Sequence, residues 1–199
     1  MSTASSDAPT RTGVSPTAAD DSRERILHGA VRSIARHGLE RSSIASVARE
    51  AGVSRQTIYA YYTNREDVLR DAVMRSATDL MRVVVANAKK SSSAGEFLVE
   101  LTAGVIFGVK EHPALSAMLY SVDSPEGREM TMSGPILEVV EDALAPLAEY
   151  DPALKPKLGV IAETSLRLTV SLLTFPSERT STPARLRAYL AELTEPLAR

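Results

Sequence analysis

Residues 43–62 read SIASVAREAGVSRQTIYAYY, and their side-chain types and spacing suit recognition of a duplex. If Ile58 and Tyr62 face inward, then Arg55, Gln56, Tyr59 and Ala60 fall outward along one edge. That edge offers a guanidinium fork for guanine, an amide for adenine and a small apolar group for a thymine methyl. Ser43, Ser54, Thr57 and Tyr61 are spaced for phosphate oxygens, with the N–H groups of helix N-termini assisting. Blander roles stay open for each of them. Arg55 and Gln56 also suit solvent or phosphate, Tyr59 and Tyr61 suit packing, and the Thr57 hydroxyl suits its own backbone.

Other chemistries find little support. The chain has no cysteine, which excludes disulfides, thiolate metal sites and a cysteine nucleophile. Its three histidines, His28, His37 and His112, belong to no HExxH pattern, and there is no nucleophile elbow or phosphate-binding glycine loop. No catalytic residue, metal ligand or cofactor is therefore expected. His112 before Pro113 marks a corner between helices. Glu163 and Arg167 stand four apart and suit a mutual ion pair better than a ligand counter-ion.

The elements that must hold residues 43–62 read as helices. Ile26, Ala30 and Ile34, flanked by Leu27, Val31 and Ala35, form an apolar stripe over about 22–37, stopped by Gly38. Ser43 caps a short helix with Ile44, Val47, Ala48 and Ala51 on one face, and Ala48 is small where helices must cross. Gly52 supplies the positive φ of the turn, and Ser54 caps a helix over 55–62. Asn64 and Asp67 open a long helix over 65–88. Further helices are expected at about 94–110, 113–122, 134–149, 152–174 and 183–197, with prolines near the boundaries and a loop or frayed turn at Met130–Ser133. No strand alternation is convincing, so the predicted fold class is all-α.

Charge is unevenly distributed over the 199 residues, whose total is −2. Residues 1–21 sum to −2, residues 22–66 to +4 and residues 67–199 to −4. A basic module on an acidic body suggests that one end meets a polyanion. Residues 1–21 lack large apolar side chains and are expected to form a flexible arm, with Arg11 its one candidate for a minor-groove contact. No run of 18 uncharged apolar residues exists; the best, Leu158–Phe175, contains Glu163 and Arg167. Neither membrane insertion nor a secretory signal is expected, and a cytoplasmic location is.

Over residues 23–67 the sequence RERILHGAVRSIARHGLERSSIASVAREAGVSRQTIYAYYTNRED resembles the tetracycline-repressor (TetR) family of bacterial regulators. The resemblance implies a DNA-binding module at 22–66, with Ile44–Ala51 as positioning helix and Arg55–Tyr61 as recognition helix. Thr57 and Tyr59 would touch backbone or base edges. Position 65, usually Lys in the family, is Arg here, and would set a cation against phosphate; position 62, often Phe, is Tyr. Residues 67–199 would build a ligand-binding and dimerisation domain.

Candidate pocket residues are Leu80, Val84, Phe97, Leu101, Met118, Tyr120, Met132, Leu137, Ile161, Thr164 and Leu168, although apolar residues at helical spacing are commonly plain core. Methionines 118, 130 and 132 suit an adaptable pocket for a largely apolar small molecule. The last two long helices are the candidates for a homodimer interface, through Leu158, Ile161, Ala162, Ser165, Leu168 and Leu172 on one and Leu186, Tyr189, Leu190 and Leu193 on the other. The expected function is a repressor released from a palindromic DNA operator by a small molecule. The alternative is a helical ligand-binding protein or enzyme without sequence-specific DNA binding.

Overall fold

A computed structural model describes residues 16–194, which are helical with no strand among the described residues. The expectations for residues 1–15, Arg11 included, and for the end of the last helix lie outside that range. Helix α1 (Pro16–His37) starts six residues before the expected position, so the arm expected over 1–21 is helix from Pro16 onward. Pro at a first helical position and the Ala18–Ala19 pair both favour a helix start, a signal missed when only apolar burial is weighed.

Helices α2 (Ile44–Ala51), α3 (Arg55–Tyr59) and α4 (Arg65–Ala88) follow, with α3 shorter than expected. The body continues with α5 (Ala94–Gly108), α6 (Pro113–Tyr120), α7 (Pro125–Thr131), α8 (Gly134–Leu144), α9 (Leu147–Tyr150), α10 (Leu158–Thr174) and α11 (Pro183–Thr194). Single 3-10 segments cover Val109–Glu111, Pro152–Lys157 and Glu178–Thr180. The helix expected over 134–149 is thus broken at Ala145–Pro146, and the one over 152–174 begins as 3-10 around Pro156, where a missing N–H interrupts the ladder. Helix α7 replaces part of an expected loop. Met130 is its one large apolar residue, and local bonds hold it: the Gly127 N–H donates to Ser124 Oγ at 3.0 Å and Thr131 Oγ1 donates to the Gly127 carbonyl at 2.7 Å.

One apolar core runs from Ile26 of α1 through Val68 and Leu80 of α4 and Phe97 of α5 to Leu144 of α8 and Leu166 of α10. Helix α4 is its spine, packing on α1, α5, α6 and α8. Two glycines let α5 approach it: a methyl on Gly104 would sit 2.7 Å from Val84 Cγ1, and one on Gly108 would sit 2.4 Å from Leu80 Cδ1.

A smaller core joins Val99, Ala103 and Ile106 of α5 to Leu186 and Leu190 of α11. That corrects part of the expected dimer stripe. Ala162, Leu186 and Leu190 are buried within the protomer, because α10 lies on α8 and α11 lies on α5. Among the apolar residues of these two helices and the residue after α10, Val160, Phe175 and Leu193 are the large exposed ones.

Candidate nucleic-acid interface

Helix α3 is aimed by a tightly built support of α1 and α2. Where α1 crosses α2, a methyl on Gly29 would lie 2.6 Å from the Ala51 Cβ, so only glycine permits this approach. Close crossing was expected at Ala48, which is buried, but the closest approach falls one turn on, between Gly29 and Ala51. Beside it, Ser33, Ser42 and Ser46 form a buried hydroxyl cluster, with Ser33 Oγ 3.1 Å from Ser42 Oγ and 2.7 Å from Ser46 Oγ. Ser42 donates onward to the Gly38 carbonyl at 2.9 Å, so the cluster is satisfied internally. Ser43 and Ser46 cap α2 reciprocally: the Ser46 N–H donates to Ser43 Oγ and the Ser43 N–H to Ser46 Oγ.

Gly52 has φ 66°, ψ 37°, and the following Val53 N–H donates to the Ala48 carbonyl at 3.0 Å. This left-handed closure ends α2 and turns the chain toward α3. Ser54 then caps α3, accepting from the Thr57 N–H at 3.0 Å, and its hydroxyl lies 2.8 Å from Thr57 Oγ1. Ile58 is fully buried and Tyr62 nearly so, while Arg55, Gln56, Tyr59 and Ala60 are exposed. The inward pair and the outward edge are as the spacing predicts. Ser43 and Ser54 are exposed despite their capping roles, and Thr57 and Tyr61 are half-buried, with Tyr61 packed against the core.

Charge pairing separates Arg55 from its neighbours. Arg25 donates to the Gly52 carbonyl, Arg32 and Arg36 bind Glu50, and Arg41 donates to the His37 carbonyl. Arg49 lies 3.3 Å from His37 Nε2. Arg23 donates to Asp71 at 2.7 Å and reaches the Tyr62 hydroxyl at 3.4 Å. Among the described residues, Arg55 is the arginine of 22–66 with no hydrogen-bond or ion-pair partner. A charged fork without an internal partner is poised for an external one.

Arg65 departs from the expected phosphate-facing role. Its guanidinium turns inward to the loop between α1 and α2, donating to the Leu39 carbonyl at 2.6 Å, the Glu40 carbonyl at 2.8 Å and the Ser42 carbonyl. It also pairs with Glu66 at 3.0 Å. The loop carbonyls compete for the donors that a phosphate would need. Tyr62, by contrast, packs as expected with its hydroxyl on a polar partner. Burial is the main cause that raises its pKa, partly countered by the Arg23 hydrogen bond. The same bond, then the one to Asp71, raises the Arg23 pKa. Sequence reasoning overlooked this Arg23–Tyr62–Asp71 link between α1 and α4; charged residues at such separation carry no local signal.

The body holds two adjoining cavities. An inner one of about 50 Å³ lies among α4, α5, α6, α8 and α10, and an outer chamber of about 320 Å³ lies between the ends of α5 and α10, α6 and the loop after it. Leu80 and Met118 line the inner cavity and Tyr120 the outer chamber. The other candidates line neither. Val84, Phe97 and Leu101 are buried core, and Met132, Leu137 and Ile161 pack half-buried on that core. Leu168 joins the smaller core, and Thr164 is exposed on α10. Helical spacing marks an inward face, but cannot separate a cavity wall from solid core.

An all-helical body carrying the exposed, capped helix α3 on the close-packed pair α1 and α2 has the architecture of a helix-turn-helix module. Known proteins agree. The family model for bacterial regulatory proteins of the tetR family matches residues 26–72. Over 176 residues the chain is 30% identical to an uncharacterised HTH-type transcriptional regulator of Mycobacterium tuberculosis, covering 87% of this chain and 84% of that one. The chain belongs to the TetR family of transcriptional regulators, which are not enzymes and which bind DNA operators and small-molecule effectors.

It is also similar to the fatty acid metabolism regulator protein of Bacillus subtilis, 31% identical over 74 residues that cover 37% of this chain and 38% of that one. Among solved structures, the TetR family repressor AlkX of a Dietzia strain, implicated in biodegradation of n-alkanes, superposes with a TM-score of 0.65 at 20% identity. That match covers 88% of this chain and 94% of AlkX. No described helix is long and apolar enough to cross a membrane.

Proposed function

We propose that the protein is a homodimeric repressor whose α3 helices read two half-sites of a near-palindromic operator, and which a small molecule releases. The unpaired Arg55 on the exposed edge of α3 carries this reading. Arg55 takes guanine, Gln56 adenine, and Ala60 a thymine methyl, with Tyr59 beside them at base edge or backbone. Ser43, Ser54, Thr57 and Tyr61 hold phosphate oxygens and fix the register. Arg65 serves at one remove, by holding the α1–α2 loop. Such a protein works beside the chromosome, in the cytoplasm.

The dimer forms through α10 and α11, whose exposed Val160, Phe175 and Leu193 supply apolar contact around a two-fold axis. The module at 22–66 and the body at 67–199 are coupled by α4, which runs through both, and by α6, which packs on α1 and α4 and lines the inner cavity. An effector seated there favours a placement of α4 and α6 in which the two α3 helices no longer match successive major grooves. Only that difference in affinity between states releases DNA. A largely apolar effector suits the apolar inner wall, and the names of the B. subtilis and Dietzia relatives point to apolar metabolism.

Selecting bound sequences from a random DNA pool tests the reading. An enriched inverted repeat with half-sites about one helical turn apart supports it; a pool that stays unenriched rejects it.

A further inference from the structure

Val109 and Leu119 border both cavities of the body, so the two chambers share a wall made of two apolar side chains. Their linings differ in kind. The inner cavity is faced by aliphatic residues and Met81 and Met118, with Thr169 its one hydroxyl-bearing residue. A cavity of about 50 Å³ so lined offers water no set of partners. Methionine is unbranched and readily rearranged, so the space widens cheaply around an inserted chain. The outer chamber, at about 320 Å³, reaches the size of small-molecule sites and mixes apolar wall with Lys110, Ser116, Asp123 and Ser181.

Lys110 follows Val109 directly in the chain, so a cation stands next to the partition. Its Nζ lies 5.9 Å from the Phe107 ring centroid, and it has no ion pair among the described residues. Asp123 is the chamber's carboxylate; Arg128, outside the chamber lining, donates to the backbone carbonyl of Asp123 at 2.8 Å and not to its carboxylate. Lys110 and Asp123 thus balance in formal charge, and the exposed Lys110 ammonium, with no ion pair among the described residues, is the cation available at the mouth of an apolar passage.

We propose that the two chambers form one bipartite effector site for a linear amphipathic carboxylate. Its alkyl chain passes Val109 and Leu119 into the inner cavity, and its carboxylate meets the Lys110 ammonium in a charge-assisted hydrogen bond. Rotation of the two partition side chains joins the chambers. The assignment rests on the ligand-responsive reading above and specifies the chemical class that the site takes.

Three probes with one chain and different heads test it: decanoate, decan-1-ol and decylammonium, titrated at monomeric concentrations into the full chain by calorimetry. Decanoate is expected to bind at least tenfold tighter than decan-1-ol, with decylammonium weakest. Lys110→Gln removes the advantage of decanoate, and Lys110→Glu inverts the order of the two charged probes. Equal affinities for all three, no binding of any, or a decanoate preference that survives Lys110→Gln overturns the assignment. The head-group order in the unaltered protein is informative without any variant. DNA selection on the same preparation separates the two failures. An enriched operator with no carboxylate preference rejects this site alone, whereas a pool that stays unenriched rejects the regulator reading whatever the probes do.

Discussion

Gly29 of α1 and Ala51 of α2 meet backbone to backbone: a methyl on Gly29 would lie 2.6 Å from the Ala51 Cβ and 2.7 Å from its backbone nitrogen. The contact sets the angle at which α2, and through Gly52 helix α3, leaves the core. Gly29→Ala forces the two helices apart, since the obstructing atoms belong to backbone and cannot rotate away. A loss of about 1–3 kcal/mol in unfolding free energy is expected, together with weaker operator binding. Denaturant melts matching those of the unaltered protein would show that the crossing is looser than described.

Arg65 reaches three loop carbonyls with a planar fork that an ammonium cannot reproduce. Arg65→Lys is therefore expected to lower thermal stability, and Arg65→Gln, which also removes the charge, is expected to lower it while leaving the salt dependence of DNA binding as it was. A direct phosphate contact would act otherwise, lowering the slope of log affinity against log salt by about 1. Titrations at several salt concentrations separate the two roles, and a reduced slope with unchanged stability would return Arg65 to the phosphate.

Tyr62 is neutral when protonated, and its pKa is raised in the fold above the ordinary 10.0, chiefly by burial. The folded protein thus keeps this proton at a pH where the unfolded chain loses it. The stability linked to Tyr62 is whole below about pH 10 and declines as pH rises through and beyond that value. Tyr62→Phe is expected to flatten this alkaline decline relative to the unaltered protein. At neutral pH the lost Arg23 hydrogen bond costs about 1 kcal/mol or less. Parallel melts from pH 8 to about pH 11 check this, and two variants falling in step would reject it.

The outward edge of α3 was legible because Ile58 and Tyr62 fix the helix phase, and Gly52 and Ser54 fix where it begins. The 65–88 helix was legible to the residue from Asn64 onward. What escaped depended on neighbours distant in sequence. Arg65 reads as a surface cation until the loop carbonyls of residues 39–42 are brought to it. Gly29 looks like a weak point in α1 until Ala51 lies against it. Helix α7 has no apolar stripe to announce it, and most proposed pocket residues proved to be solid packing. Leu186 and Leu190 show the same ambiguity: their spacing marks a buried stripe, but not whether α5 or a second protomer covers it.

The central claim is that the free guanidinium of Arg55 reads a base. Affinities of the unaltered protein and of Arg55→Ala, measured at one salt concentration for a selected operator and for random duplex, test it most directly. Removal of a bidentate contact is expected to weaken operator binding roughly tenfold or more, with random-duplex affinity changed far less. Equal proportional losses on both duplexes would show that Arg55 meets phosphate, and would contradict the account.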